Sequence, residues 1–278
     1  MADACAAPSP RTPVSPARKE HPMTRASAAA SFQPACSPGQ AGILGAGRLP
    51  VPAQPAVGKP LTAVLPGRSL PRAGHVLAVT ARPGQESIDL GRLLYAFRRQ
   101  GASLALLSLS RGEASPLNST RERLETIRPW ELQLAASLLG ISSTTVSDFT
   151  DGGLSQYPVA ELSERVRRVI RKFASDLLLV IDPAGGGPDD VAVARAACSA
   201  AEQSGVPALA RMRVAARSGW HVDLGEDAAA ARAVQRSAMA AHASQAGALP
   251  QAQRRADLQD GREQMRWLVP PRRMYDYG

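Results

Sequence analysis

The sequence of 278 residues has few cysteines, few aromatic residues and no long hydrophobic run. Cys5, Cys36 and Cys198 are too few for a disulfide framework or a cysteine-rich zinc module. No stretch reaches the roughly 18 uncharged apolar residues of a membrane-spanning helix. These absences exclude an integral helical membrane protein and a disulfide-rich domain. They leave a globular protein that is long enough to bury a sizeable core.

Proline and positive charge are concentrated near the N-terminus. Residues 1–72 hold 13 of the 23 prolines, and their eight basic and two acidic residues give +6 of the net charge of +9. A segment so rich in Pro, Ala, Ser and Gly cannot bury enough apolar surface to offset its ordering entropy. We therefore expect a disordered basic tail over residues 1–72 and one folded domain over residues 73–278.

The tail does not resemble a secretory signal, because no continuous apolar segment follows a basic start. We expect a cytoplasmic protein. A mitochondrial transit peptide stays open, although the prolines argue against an amphipathic helix, and translation from Met23 also stays open. Binding of an anionic partner through the tail is a further alternative and would be salt-sensitive. No interleaved aromatic residues indicate a specific nucleic-acid surface.

From about residue 74, apolar runs of strand length alternate with helical patterns. Strands are predicted at 75–80, 104–109, 144–149, 177–181, 207–214 and 220–224. Helices are predicted from the N-cap Ser87 to 101, from 124 to 139 with Leu124, Ile127, Trp130, Leu134 and Leu138 in one apolar pattern, and at 158–173, 189–204, 228–242 and 250–267. This alternation predicts an α/β domain with a mainly parallel sheet and helices on both of its faces.

Right-handed crossovers bring the loops that follow the strands to one edge of the sheet, where α/β proteins build their sites. These loops are residues 82–86, 110–115, 149–154 and 183–190. They contain several charged residues but no histidine or cysteine, so no nucleophile–histidine pair is visible. A phosphate-binding loop with the Lys-Ser/Thr pattern is also absent from the sequence.

Eight short segments, taken in their order along the chain, resemble the PIG-L (LmbE-like) deacetylase family, and particularly its actinobacterial members. They are A-R-P-G-Q-E-S at 81–87, L-S-R-G-E-A-S at 109–115, R-P-W-E-L at 128–132, L-G at 139–140, D-F-T-D-G-G-L at 148–154, D-P-A-G-G-G-P-D-D at 182–190, H-A-S-Q at 242–245 and M-R-W-L at 265–268. The resemblance implies a Rossmann-like fold, one zinc ion and hydrolysis of N-acyl groups on amino sugars and related glycoconjugates. In that chemistry zinc polarises the amide carbonyl and activates a bound water.

The chain departs from the family at every position to which the resemblance assigns catalysis or metal binding. The zinc ligands correspond to Arg82, Gln85 and Asp190, the general base to Gly84 and the assisting histidine to Gly187. Arginine has no acceptor lone pair and a glutamine carbonyl is a poor zinc ligand. We therefore expect no zinc, no intact catalytic residue and no deacetylase activity.

Side chains that remain near these positions are candidates for a ligand pocket. They are Arg82, Gln85, Glu86, Arg128, Asp151 and Asp190. The first hypothesis is a pseudoenzyme with a binding role, for which a glycoconjugate-like small molecule is a candidate ligand. In it, the Arg82 guanidinium replaces the metal charge by pairing with Asp190 or Asp151. The alternative is an active N-acyl hydrolase that uses Asp151, Asp189 or Asp190 without the usual zinc site.

Overall fold

The computed structural model describes residues 69–117, 121–214, 219–248 and 262–272. The predicted tail therefore lies outside the described residues except for its last four positions. One of these, Leu70, is buried in the core, and its carbonyl accepts a hydrogen bond from Gln100 Nε2 at 3.4 Å. The ordered core thus includes Leu70, two residues before the expected boundary at residue 72.

Seven described strands form one sheet in the order β3-β2-β1-β4-β5-β7-β6. The strands are β1 His75–Thr80, β2 Ser103–Ser110, β3 Ser143–Phe149, β4 Leu177–Ile181, β5 Ala208–Arg211, β6 Trp220–Asp223 and β7 Arg262–Val269. Strands β1 to β5 pair in parallel, whereas β7 runs antiparallel between β5 and β6. The predicted α/β class with a mainly parallel sheet is confirmed.

Helices cover both faces of this sheet. They are α1 Gln85–Ile88, α2 Gly91–Arg99, α3 Arg121–Leu139, α4 Val159–Phe173, α5 Pro188–Ser204 and α6 Ala228–Ala240. Val76 and Ala78 of β1 pack in the same core cluster as α2, α3 and α6, while Leu77 and Val79 pack with α4 and α5. This division follows from the alternation of side chains along a strand. None of the helices in the described ranges has the length and apolar character needed to cross a bilayer.

The expected start of the first helix is wrong. Ser87 does not cap a long helix but lies inside the four-residue helix α1, and α2 begins only at Gly91. Gly84 precedes α1 with a φ of 100°, a conformation that side chains disfavour. The chain therefore makes a compact turn directly after β1, and this turn carries four of the predicted site positions.

The expected apolar face of the second helix, here α3, is also wrong in part. Leu124 is buried, but Trp130, Leu134 and Leu138 are 70%, 56% and 41% exposed. The inward face of α3 instead includes the buried polar residue Arg128. A simple hydrophobic periodicity misplaces this helix because a polar side chain occupies part of its buried surface.

The helix expected over residues 250–267 is wrong where the structure describes it. Residues 249–261 lie outside the described ranges, and β7 begins at Arg262. Glu263 occupies an inward position of this strand, where it contacts Arg92 Nε at 2.7 Å and Arg211 Nε at 3.1 Å. The inward glutamate hides the alternation of polar and apolar residues that is typical of a strand.

Candidate functional site

The turn after β1 and the first turn of α5 meet at the carboxyl edge of the sheet. Gln85 is 8% exposed, and its Oε1 accepts a hydrogen bond from the Ala81 amide at 2.9 Å. Its Nε2 donates to Asp190 Oδ1 at 2.7 Å. The structure therefore brings together two of the three predicted ligand positions, Gln85 and Asp190, although 105 residues separate them. Both polar ends of the Gln85 amide are occupied by partners within the protein.

Asp190 is tied to the protein through its second oxygen as well. Its Oδ2 accepts hydrogen bonds from Arg213 Nη1 at 2.6 Å and from the Gly187 amide at 3.2 Å. Burial alone would raise the pKa of the Asp190 carboxyl, but the Arg213 charge and the hydrogen bonds outweigh it and hold that pKa below its ordinary value. Gly187, the predicted position of the assisting histidine, is the N-cap of α5 and contributes only its backbone here.

Arg213 is a central residue of the site that the sequence analysis missed. Its Nε donates to Asp89 Oδ1 at 2.9 Å and its Nη2 to Asp89 Oδ2 at 2.6 Å, in a bidentate pair, while Nη1 binds Asp190. Burial lowers the pKa of the guanidinium, but its two carboxylate partners raise it above its usual value overall. The available signal was an arginine at the carboxyl end of the predicted fifth strand, residues 207–214, at the same edge of the sheet.

Arg82 contacts one of the two carboxylates that the sequence analysis proposed for it. Its Nη1 lies 3.5 Å from Asp151 Oδ1, and its side chain is 35% exposed. Asp190 pairs with Arg213 instead. Asp151 also accepts hydrogen bonds from Ser110 Oγ at 3.2 Å and from the Ala114 amide at 3.1 Å, so this carboxylate joins the loop after β2 to the loop after β3.

Arg128 connects two of the site loops through their backbones. The guanidinium is buried and donates to the carbonyl oxygens of Gly112 and Pro83. Burial, and to a smaller extent the positive charge of Arg82, lowers the pKa of Arg128 against the opposing effect of Asp151. Within the described residues, Arg128 Nε is buried and has no hydrogen-bond partner.

Glu86 and His242 form a buried pair that sequence reasoning did not anticipate. Glu86 Oε1 lies 2.7 Å from His242 Nε2 and accepts a hydrogen bond from Ser87 Oγ at 2.7 Å, while Oε2 accepts from the Gly84 amide at 2.8 Å. Burial would raise the pKa of Glu86, but His242 and these hydrogen bonds lower it overall. In the described part of the chain, His242 Nδ1 is buried without a partner.

A cavity of about 160 Å³ lies beside these groups. Its wall includes Arg82, Gln85, Ile88, Arg128, Met239 and His242. Glu86, Asp151 and Asp190 are not among the described lining residues, and their carboxylates accept hydrogen bonds within the protein. The described lining of the cavity therefore contains two guanidinium groups and no carboxylate.

The donor set at the three predicted ligand positions does not fit zinc. Arg82 brings a cation, Gln85 offers an amide that is already bonded at both ends, and Asp190 is bonded to a guanidinium. Zinc sites require deprotonated nitrogen, sulfur or oxygen donors, in most cases four in tetrahedral array. Across the described ranges, no three His, Cys, Asp or Glu side chains are grouped so that they could hold a metal ion.

Comparisons with known proteins agree with this fold. The model of the PIG-L family, described as GlcNAc-PI de-N-acetylase, matches residues 77–201. A probable N-acetyl-alpha-D-glucosaminyl L-malate deacetylase 2 of Bacillus anthracis is 32% identical over 37% of this chain and 46% of that protein. A 1D-myo-inositol 2-acetamido-2-deoxy-alpha-D-glucopyranoside deacetylase 1 of Catenulispora acidiphila is 30% identical over 52% of this chain and 54% of that protein. The chain thus spans about half the length of the curated relatives it matches.

Solved structures share the architecture at low sequence identity. The conserved protein TT1542 from Thermus thermophilus superposes with a TM-score of 0.60 and 19% identity, over 72% of this chain and 97% of that chain. The A40926 pseudoaglycone deacetylase Dbv21 superposes with a TM-score of 0.57 and 19% identity, over 70% and 96% of the two chains. At this level of identity the likeness establishes the fold.

Proposed function

We propose, from the match of the PIG-L family model to residues 77–201, that the chain is a pseudoenzyme that keeps the pocket without zinc or deacetylase activity. Its role is then to bind a small molecule. Relatives named as deacetylases of glucosaminyl compounds suggest a glycoconjugate-like ligand as one candidate. A cytoplasmic location belongs to the same proposal, and cell fractionation tests it.

The observation that carries this proposal is the continuous series of hydrogen bonds from Gln85 through Asp190 to Arg213. It joins two of the three family ligand positions to each other and then to a guanidinium. A metal ion would have to displace the Arg213 contact before it reached the Asp190 carboxylate. The general base is also missing, because Gly84 has no side chain. General acid–base assistance contributes about 10²–10⁴-fold to such reactions.

The alternative of an active hydrolase without zinc has less support from the geometry. Each of its three candidate carboxylates already binds groups of the protein. Asp189 accepts hydrogen bonds from the Gly152 amide at 2.8 Å and the Leu154 amide at 3.0 Å. Asp151 and Asp190 each face an arginine. The other alternative, binding of an anionic partner through the tail, concerns residues outside the described ranges and stays a sequence-based hypothesis.

Metal analysis combined with an activity assay tests the proposal. Full-length protein is incubated with zinc, dialysed and analysed for metal content, and it is then assayed for release of acetate from N-acetylglucosaminyl compounds. We expect no stoichiometric zinc and no activity above a heat-denatured control. One tightly bound equivalent of zinc, or turnover that a chelator abolishes, would overturn the proposal.

A further inference from the structure

We propose that the cavity beside Arg82 binds a small monocarboxylate, whose carboxylate pairs with Arg82 and whose carbon chain packs against Ile88 and Met239. This inference rests on the proposed function, because it requires a pocket without zinc. It assigns to the same pocket a ligand class, an anion with a short apolar chain.

The charges in the cavity wall favour an anion. Arg82 and Arg128 line the cavity, and no carboxylate is among its described lining residues. Arg128 is 4% exposed, and burial, with a smaller effect of the Arg82 charge, lowers the pKa of its guanidinium against the opposing effects of Asp151, Glu131 and Glu86. An anion bound between the two guanidinium groups would add negative charge beside both of them.

Unused hydrogen-bonding capacity in the wall supports a ligand at this place. Within the described residues, Arg82 makes a single side-chain contact, the 3.5 Å approach to Asp151, which leaves most of its five donors available. A carboxylate in the cavity would give these available donors of Arg82 a charged acceptor.

The size and the apolar part of the wall select a short-chain carboxylate. Pro83, Ile88 and Met239 contribute apolar surface to the cavity of about 160 Å³. An apolar protein cavity of about 150 Å³ holds a molecule the size of benzene, so this cavity suits about six heavy atoms. Butanoate has that size, with two oxygens for the guanidinium and three carbons of chain to lie against Ile88 and Met239. Inorganic phosphate has the charge but lacks the apolar part.

Calorimetric titration of the full-length protein with three probes tests the inference. Butanoate carries both proposed features, butanamide keeps the shape without the charge, and inorganic phosphate keeps the charge without the chain. We expect butanoate to bind at least about tenfold more tightly than either of the other probes. Equal affinity for butanoate and butanamide, or for butanoate and phosphate, would contradict the ligand class, and so would no binding of butanoate.

Two arginine variants locate the binding site. Arg82→Gln removes the proposed carboxylate contact, whereas Arg111→Gln changes an exposed arginine that pairs with Asp148 outside the cavity. We expect the first variant to lose at least about tenfold in butanoate affinity and the second to bind like the unaltered protein. Equal binding by both variants would show that the carboxylate lies elsewhere. Metal content is measured on the same samples. Bound zinc would refute the proposed pseudoenzyme, whereas a zinc-free protein that does not bind butanoate would refute only the proposed carboxylate ligand.

Discussion

At the scale of single residues, Arg213 brings positive charge to two buried carboxylates, one of which, Asp89, also pairs with Arg211 at 3.2 Å. Asp89 is 8% and Asp190 is 6% exposed, and Arg213 bonds to both of them. The sequence analysis assigned the compensating role to Arg82, which reaches Asp151 only at 3.5 Å. Two arginines therefore bring positive charge to the carboxylates at this edge of the sheet, and Arg213 makes the shorter contacts.

Replacement of Arg213 by methionine is expected to destabilise the fold by about 3 kcal/mol, because it removes the charged partner of the buried Asp190 and leaves Asp89 with its 3.2 Å contact to Arg211. Urea denaturation measures this loss in the free energy of unfolding. Arg111→Met is the matched control, since Arg111 forms an exposed ion pair with Asp148 that is worth about 0–1 kcal/mol. Equal stability of the two variants would mean that Asp89 and Asp190 do not depend on Arg213.

Glu86 makes the free energy of unfolding of the domain fall at low pH. Its pKa in the folded protein lies below the ordinary value of 4.5, so the unfolded chain takes up the proton first as the pH falls. The stabilisation is therefore present above about pH 4.5 and is lost as the pH falls through the folded-state pKa. Asp190, with a pKa lowered from 3.8, acts in the same direction at slightly lower pH.

The Glu86→Gln variant is expected to lose part of this acid dependence. Its free energy of unfolding should change less steeply between about pH 5 and pH 3 than that of the unaltered protein, and Asp190 should account for part of the remaining slope. Denaturant titrations at several pH values measure the slope. Glu125→Gln, at a side chain that is 55% exposed on α3, serves as the control. A steeper slope in Glu86→Gln would contradict the lowered pKa.

At the scale of secondary-structure elements, two glycines in the site loops differ in whether the surrounding structure leaves room for a side chain. Gly112 has a φ of 76°, and a Cβ there would overlap the Arg128 guanidinium that joins the loops after β1 and β2. At Gly187, the N-cap of α5, a Cβ meets no atom within 4 Å. The same substitution should therefore have opposite consequences at these two glycines.

Gly112→Ser is expected to cost about 2–4 kcal/mol, because it combines a disfavoured backbone conformation with displacement of a buried guanidinium. Gly187→Ser is expected to be neutral or to stabilise by up to about 1 kcal/mol, because serine is a favoured N-cap residue. Thermal unfolding of both variants gives the comparison. A cost at Gly187 as large as that at Gly112 would show that the open space beside α5 is not available.

The sequence predicts the elements whose pattern is local and fails where distant partners decide. The strands β1, β2 and β4 match their apolar runs because both faces of these strands are buried. The inward Glu263 of β7 conceals its strand, because its partners Arg92 and Arg211 lie more than 50 residues away. Helix α3 shows the converse failure. Trp130 fits the apolar helical pattern but is exposed, because the buried surface of α3 is partly polar.

At the scale of the whole molecule, the topology determines which residues form the site. The parallel order β2-β1-β4-β5 brings the loops after these strands to one edge, as the alternation of strands and helices in the sequence predicts. The sequence suggested the Arg82–Asp151 pair as one of two possibilities, but it did not reveal the other pairs, because Gln85 lies 105 residues from Asp190 and Glu86 lies 156 residues from His242. The family resemblance supplied the first pair as metal positions, while the partner Arg213 is evident only in the folded chain.

This arrangement predicts that restoring the family residues requires more than their five positions. The five changes are Arg82→His, Gly84→Asp, Gln85→Asp, Gly187→His and Asp190→His. Gly187 has room for a side chain, whereas Gly84 with its φ of 100° forces the turn before α1 to change conformation. Arg213 would remain fixed to Asp89, beside the new ligand at position 190. A zinc ion bound there would then lie next to a guanidinium.

The five-residue variant is therefore expected to bind zinc weakly, and addition of Arg213→Ser is expected to raise the zinc content toward one equivalent. Dialysis followed by metal analysis measures both variants, and circular dichroism establishes that each one is folded. If the five-residue variant already holds one tight equivalent, Arg213 does not oppose the metal. If neither folded variant binds zinc, the assigned ligand positions are wrong, because an aligned His-Asp-His set without the neighbouring cation has the donors that zinc requires.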